Sequence, residues 1–199
     1  MPGILILSAP SGGGKTSLAR SLVERRDDVE IAVSHTTRKI RPGEQDGVHY
    51  FFVDTATFEE MIAKNRFIEH ARVFDHYYGT SVNAIEKLLA NGKHAILDID
   101  WQGARNVRAR FPDATSVFVM PPSVEALENR LRERKQDSEE VIQRRMRDAQ
   151  NEMSHKDEFD VIIVNDDFDT ALDELERELD SLKHCELDFC HGQTHLTDM

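Results

Sequence analysis

Residues 4–17 read Ile4-Leu5-Ile6-Leu7-Ser8-Ala9-Pro10-Ser11-Gly12-Gly13-Gly14-Lys15-Thr16-Ser17. An apolar run with strand character enters a loop of three glycines, and Lys-Thr opens a helix. This is the strand–loop–helix context in which a phosphate-binding loop is expected. Glycines suit such a loop because backbone N–H groups must converge on phosphate oxygens, and a Cβ would hold them apart. The N-terminus of the following helix adds its dipole. Lys15 is expected to reach the β- and γ-phosphates of a nucleoside triphosphate, and the Thr16 hydroxyl to ligate Mg²⁺. Ala9 stands where the motif has its first glycine, at the start of the turn. The alternative is a glycine-rich connection with no ligand. The loop by itself names no second substrate.

Outward from this loop, apolar β-rich runs alternate with helical patterns. Strands are expected at Ile4–Ser8, Val29–Ser34, His94–Asp100, Thr115–Met120 and Asp160–Asn165. Several are apolar throughout, as in parallel strands buried on both faces. Leu172, Leu175, Leu179 and Leu182 recur at helical spacing, as do Val124, Leu127 and Leu131. The alternation predicts a three-layer α/β fold with a parallel sheet and right-handed crossovers.

Two stretches interrupt this pattern and define the expected organisation. Core segments are expected at 1–34, 85–122 and 157–183, with a small β-rich insert at 35–84 and a helical lid at 123–156. The insert carries a turn at Arg41-Pro42-Gly43-Glu44, extended runs His49–Asp54 and Phe67–Phe74, and a helix whose start Thr57 and Glu60 have the spacing to cap. The lid is polar and holds Arg130, Arg132, Arg134, Arg144, Arg145 and Arg147. The remaining 184–199 is expected to be a loosely ordered tail. It holds both cysteines, Cys185 and Cys190, and three histidines in a spacing that fits no metal motif. The cysteines read as free thiols.

The 199 residues suffice for one medium domain with a real core. The formal charge of −12, from 37 acids against 25 bases, disfavours nucleic acid and anionic lipid as partners. It also makes a local cluster of arginines informative. No apolar run approaches the ~20 residues needed to span a bilayer. The first residues lack a basic n-region and an A-x-A-like site, so no signal peptide is expected and the cytoplasm is the expected compartment.

The run Ser34-His35-Thr36-Thr37-Arg38-Lys39-Ile40-Arg41-Pro42-Gly43-Glu44, with Gly47 and Tyr50, closely resembles the guanylate kinase family. The resemblance continues through Phe67-Ile68-Glu69, Tyr77-Tyr78-Gly79-Thr80-Ser81, Ile96-Leu97-Asp98-Ile99-Asp100 and Ile163-Val164-Asn165-Asp166-Asp167. It implies a P-loop nucleoside monophosphate kinase fold and transfer of the γ-phosphoryl group of ATP to GMP.

For the acceptor, the resemblance implies Ser34, Arg38, Arg41, Glu44, Tyr50, Glu69, Tyr78, Thr80, Ser81 and Asp100. Paired guanidiniums suit a dianionic phosphate, because each offers planar, paired donors. Glu69 offers two adjacent acceptors to the N1–H and N2–H₂ of guanine, and would face a lone pair in adenine. Thr80 or Ser81 is placed to donate to O6. Spacing alone would leave Glu69 an ordinary exposed strand residue, and Arg38 and Arg41 a solvated turn.

For ATP, the resemblance adds Asn165 and Asp166 on the adenine side to the loop residues Ala9, Pro10, Ser11, Gly12, Gly13, Gly14, Lys15, Thr16 and Ser17. Asp98 and Asp100 end an apolar strand, where carboxylates serve Mg²⁺ in such folds. Asp98 is expected near the metal, directly or through water, and Asp100 near the acceptor. The alternative is that both acids cap the next helix.

The resemblance implies that catalysis rests on Lys15, Arg38 and Arg41 with the lid arginines Arg134 and Arg145, and no general base is expected, since the acceptor oxygen is already ionised. The family's Gly-Arg-Gly around the first lid arginine is here Glu133-Arg134-Lys135. That departure predicts a stiffer lid tip, with Asp137 and Glu140 capping the next helix. Two rivals stay open at this level: another nucleoside monophosphate kinase, and a non-catalytic binding module of the same fold.

Overall fold

The computed structural model describes residues 2–73, 75–133 and 138–182. Five parallel strands form the central sheet: β1 (Ile4–Ser8), β2 (Val29–Ile31), β7 (His94–Asp98), β8 (Thr115–Met120) and β9 (Val161–Val164), in the order β2-β7-β1-β8-β9. Strand β1 lies at the centre with every residue buried, which is why its sequence is apolar without alternation.

Alternate residues of β1 feed two separate cores. Leu5 and Leu7 pack with Leu18 and Leu22 of α1 (Lys15–Arg25) and with Leu172, Leu175 and Leu179 of α7 (Phe168–Asp180). Ile4 and Ile6 pack on the other face with Ile85 and Leu89 of α3 (Val82–Ala90) and with Ala104 and Val107 of α4 (Trp101–Arg110). The fold is thus the expected three-layer α/β arrangement. The period-2 geometry of one strand supplies both layers.

A second sheet of four strands sits beside the first. It comprises β3 (His35–Thr36), β4 (Phe51–Phe52), β5 (Phe67–Val73) and β6 (His76–Ser81), in the order β4-β3-β6-β5. The expected strand Val29–Ser34 is therefore two things. Hydrogen bonding to the central sheet ends at Ala32, whose N–H donates to Ile96, and the chain then joins the second sheet at His35. Likewise β7 stops at Asp98, so Ile99 and Asp100 lie beyond the strand.

Helix α2 (Thr55–Ala63) starts two residues before the expected Thr57. Its N-cap is Asp54, whose Oδ1 accepts from the Thr57 N–H at 2.7 Å, while Glu60 pairs with Lys64 one turn on. A carboxylate at the N-cap position outcompetes the expected Thr57–Glu60 box because it reaches the orphan amide directly. Asp54→Ala is expected to cost about 1 kcal/mol, a fall in Tm of roughly 2–4 °C for a domain of this size. Thr57→Ala should stay within about 0.5 kcal/mol. Thermal unfolding of the two variants checks this, and equal losses would refute the Asp54 cap.

Helices α5 (Val124–Glu133) and α6 (Glu139–Met153) follow β8. The cap of α6 is Ser138, accepting from the Val141 N–H, rather than the expected pair of Asp137 and Glu140. Arg134, Lys135 and Asp137 lie outside the described residues, as do Phe74 and 183–199. The expectations for the lid tip, the tail and the two cysteines fall there. No helix among the described residues is long and apolar enough to cross a membrane.

Candidate active site

The glycine loop closes on itself through Gly13 N–H donating to the Pro10 carbonyl at 2.8 Å. Gly14 is left-handed, with φ 94°, and a Cβ there would lie 2.3 Å from Asn165 Nδ2. That close approach lets the Asn165 amide donate to the Gly13 carbonyl at 2.9 Å, tying the loop to the end of β9. Gly14 also starts α1 without a side-chain cap, so the first amides of the helix stay available to an anion. Ala9 is buried in the core under the loop, which explains why a methyl group is accommodated at that position.

Lys15, Thr16 and Asp98 meet at the ends of β1 and β7. Lys15 Nζ lies 2.6 Å from Asp98 Oδ1 and donates to the Ile99 carbonyl at 2.9 Å. Thr16 Oγ1 donates to Asp98 Oδ2 at 2.6 Å. Burial works against the Lys15 ammonium, but the adjacent Asp98 carboxylate more than offsets it and raises the pKa. A hydroxyl and a carboxylate side by side are hard oxygen donors, the set that Mg²⁺ prefers.

These residues line a cavity of about 280 Å³ together with Ser34, Tyr50, Glu69 and Tyr78 from the second sheet. The fold thus brings the glycine loop face to face with part of the sequence-predicted acceptor set. Glu69 is 4% exposed, and its Oε1 accepts from the Thr80 N–H at 2.7 Å. Burial pushes its carboxyl up to about 7, against the lowering effect of the Thr80 hydrogen bonds. Its orientation comes from an irregular register in β5, where Phe67 pairs with Ser81 and Glu69 with the adjacent Thr80.

Arg38 is 8% exposed and makes a paired contact with Glu44, at 2.7 and 2.6 Å. Arg38 holds Glu44 down to about 2. The guanidinium also lies 5.1 Å from the Tyr50 ring centroid, just behind the cavity wall. Glu44 further accepts from the Arg41 N–H, closing the Arg41–Glu44 turn, while the Arg41 side chain is exposed outside the cavity.

Two acceptor-set hydroxyls are otherwise engaged. Thr80 Oγ1 is fully buried against Ser34 Oγ at 2.9 Å. Ser81 caps α3 by accepting from the Ala84 N–H, and it lines a neighbouring cavity instead. Helix starts draw serine hydroxyls to orphan amides, and at Ser81 that demand prevails.

Asp100 lines the main cavity and also caps α4, accepting from the Gly103 N–H at 2.7 Å. The capping alternative therefore holds for Asp100 and not for Asp98. From α6, Arg145 donates to Ser11 Oγ at 2.8 Å.

Sequence reasoning passed over Glu152, Ala71 and Ile99 in this cavity, and Arg130 beyond it. Glu152 Oε2 accepts from the Ser11 N–H at 2.9 Å, and burial raises its pKa. Its seven-residue spacing from Arg145, two turns along one face of α6, is the signal that could have found it. Arg130 donates to the Asn165 carbonyl at 2.8 Å. With Gly12, Gly14, Ser17, Asn165, Asp166 and Phe168 it lines a further cavity on the outer side of the loop, of about 440 Å³.

A parallel α/β sheet with a glycine loop at the end of its first strand, faced by a second sheet bearing a buried carboxylate, defines a nucleotide kinase scaffold. Comparison with known proteins narrows the class. The family model described as guanylate kinase matches residues 2–182. The chain is 59% identical over 172 residues to a guanylate kinase of Chromohalobacter salexigens, covering 86% of this chain and 80% of that protein. It is 53% identical over 185 residues to one of Alkalilimnicola ehrlichii, covering 92% and 91%. The crystal structure of guanylate kinase from Anaplasma phagocytophilum superposes with a TM-score of 0.74 at 34% identity, covering 90% of this chain and 85% of that one. The chain belongs to the guanylate kinase family.

Proposed function

We propose that this protein transfers the γ-phosphoryl group of ATP to GMP by direct in-line displacement, giving ADP and GDP. The observation that carries the reading is the single cavity in which Lys15, Thr16 and Asp98 face Ser34, Tyr50, Glu69 and Tyr78. Donor phosphates on the loop amides and an acceptor on the second sheet would meet there.

The assignments follow from chemistry. The loop from Ala9 to Ser17 wraps the ATP phosphates, with the adenine side toward Asn165 and Asp166. Lys15 leaves Asp98 and Ile99 to stabilise charge at the β- and γ-phosphates. Arg38, Arg41, Tyr50, Tyr78 and Ser34 hold the GMP phosphate. Arg41 and Arg38 lie at a turn whose closure onto the acceptor is part of the proposal. Glu69, held by the Thr80 N–H, reads guanine together with Asp100. Arg145 and Arg134 clamp the transferring group.

Thr16 and Asp98 would hold Mg²⁺, directly or through water. When bound there, the ion would supply charge neutralisation at the donor phosphates. No side chain is required as general base, because the acceptor oxygen carries its own charge. The insert at 35–84 and the lid at 123–156 close over the substrates and exclude water. ATP and GMP are the partners, with no nucleic acid or membrane, and the compartment is the cytoplasm.

The test is ADP release with GMP, AMP, CMP and UMP as acceptors, before and after chelation with EDTA and restoration of Mg²⁺. Turnover should be strongest with GMP, stop with EDTA and return with Mg²⁺. Equal turnover with AMP would overturn the substrate, and GMP binding without turnover would favour a binding module.

A further inference from the structure

Helix α4 carries a glycine, Gly103, on its buried face, among Ala104 and Val107 of the core. Glycine disfavours a helix interior, and a buried alanine would normally be the better choice. The neighbourhood explains the exception. A Cβ built on Gly103 would lie 2.7 Å from Glu69 Oε2, 3.3 Å from Glu69 Cδ and 3.3 Å from Ile99 Cβ. The Glu69 carboxylate therefore sits in the space that any side chain at this position would take.

That carboxylate is anchored through its other oxygen. It is 4% exposed, and its other oxygen is tied to the Thr80 N–H at 2.7 Å. Restoring ordinary contact would move Oε2 by several tenths of an ångström and change the angle at which the carboxylate stands, while the Thr80 hydrogen bond holds its other oxygen. The N–H of Gly103 meanwhile holds the Asp100 carboxylate at 2.7 Å. One residue thus borders both carboxylates assigned to the acceptor nucleotide: its backbone donates to one, and its missing side chain leaves a slot for the other.

We propose that Gly103 is a positioning residue for base selection, setting where the Glu69 carboxylate meets guanine. The inference rests on the reading that Glu69 accepts from guanine N1–H and N2–H₂. Two acceptors must match two donors in position and angle, so a tilted carboxylate loses part of the match while the phosphate contacts persist.

The experiment compares Gly103→Ala, Glu69→Gln and the double variant, measuring KM for GMP, AMP and ATP, kcat, and Tm. Gly103→Ala is expected to raise KM for GMP about tenfold and narrow the GMP/AMP ratio, with KM for ATP changed less than twofold. In the Glu69→Gln background the same change should add less than about twofold, because the two residues act through one contact. Multiplying effects would place the action of Gly103 elsewhere and overturn the proposal. A Glu69→Gln variant with an unchanged GMP/AMP ratio would instead remove the reading on which it rests. An effective Glu69→Gln beside an inert Gly103→Ala would refute the slot alone.

A stability readout guards against misfolding. With Glu69→Ala only Ile99 Cβ, at 3.3 Å, borders the slot, so adding Gly103→Ala should raise Tm through the better helix former. With Glu69 present it should not. Equal Tm changes in both backgrounds would overturn the proposal.

Discussion

Lys15→Met is expected to lower kcat by at least about 10²–10³-fold, the cost of removing a preorganised cation from a developing phosphoryl charge. Methionine keeps the apolar stem and removes only the ammonium. The fold should survive, because Asp98 keeps its Thr16 hydrogen bond and faces the open cavity. The cavity wall formed by Tyr50, Glu69 and Tyr78 does not depend on Lys15, so GMP affinity by calorimetric titration should change less than about threefold. An activity near that of the wild type would remove Lys15 from the mechanism. A collapsed Tm would instead show that the Lys15–Asp98 pair serves the fold.

Glu69→Gln is expected to reduce the preference for GMP over AMP by about tenfold to a hundredfold, since a hydrogen bond to a charged acceptor is worth roughly 1.5–3 kcal/mol. Glutamine keeps the length but offers one acceptor and one donor, so its NH₂ confronts a guanine donor. The pH dependence gives an independent check. Burial is the main cause of the raised carboxyl, near 7, with the Asp100 charge adding to it, while Thr80 and Lys15 oppose. Guanine needs the ionised form, so kcat/KM for GMP should fall as the pH drops below about 7. A second bend near pH 6 belongs to the GMP phosphate itself. Glu69→Gln should abolish the upper bend and keep the lower one. A retained upper bend would assign it to another group.

The same burial has a sign for stability. A carboxyl whose folded value, about 7, lies above its ordinary 4.5 binds its proton more tightly in the folded state. The resulting stabilisation is complete below about pH 4.5 and is lost as the pH rises through 7. Glu69→Gln should therefore raise Tm more at pH 8 than at pH 5. If Glu69 reads the base as proposed, that selectivity comes at the expense of stability, as is common where function requires a buried charge.

Much of this protein can be read in one dimension because its signals are local. The apolar strand entering Gly12-Gly13-Gly14-Lys15-Thr16 specifies a loop that reverses into a helix, since backbone geometry and glycine freedom act within ten residues. Uninterrupted apolar runs specify strands buried on both faces, and from them the parallel sheet follows. The order of the motifs from Ser34 to Asp167 specifies the family.

What the sequence could not decide depends on which groups compete for one partner in space. Asp54 rather than Thr57 caps α2, Ser81 serves a helix start, and Asp100 caps while it lines the cavity, because each orphan amide takes the acceptor that geometry brings nearest. Glu152 and Arg145 reach Ser11 from more than 130 positions away, a proximity created only when α6 folds over the loop. Glu69 is buried by an irregular strand register and by a helix that lacks a side chain at Gly103. Residue type and spacing determined which chemistry this chain carries. Tertiary packing alone decided where each charge points and how strongly it is held, because desolvation and close contact are properties of the folded surroundings.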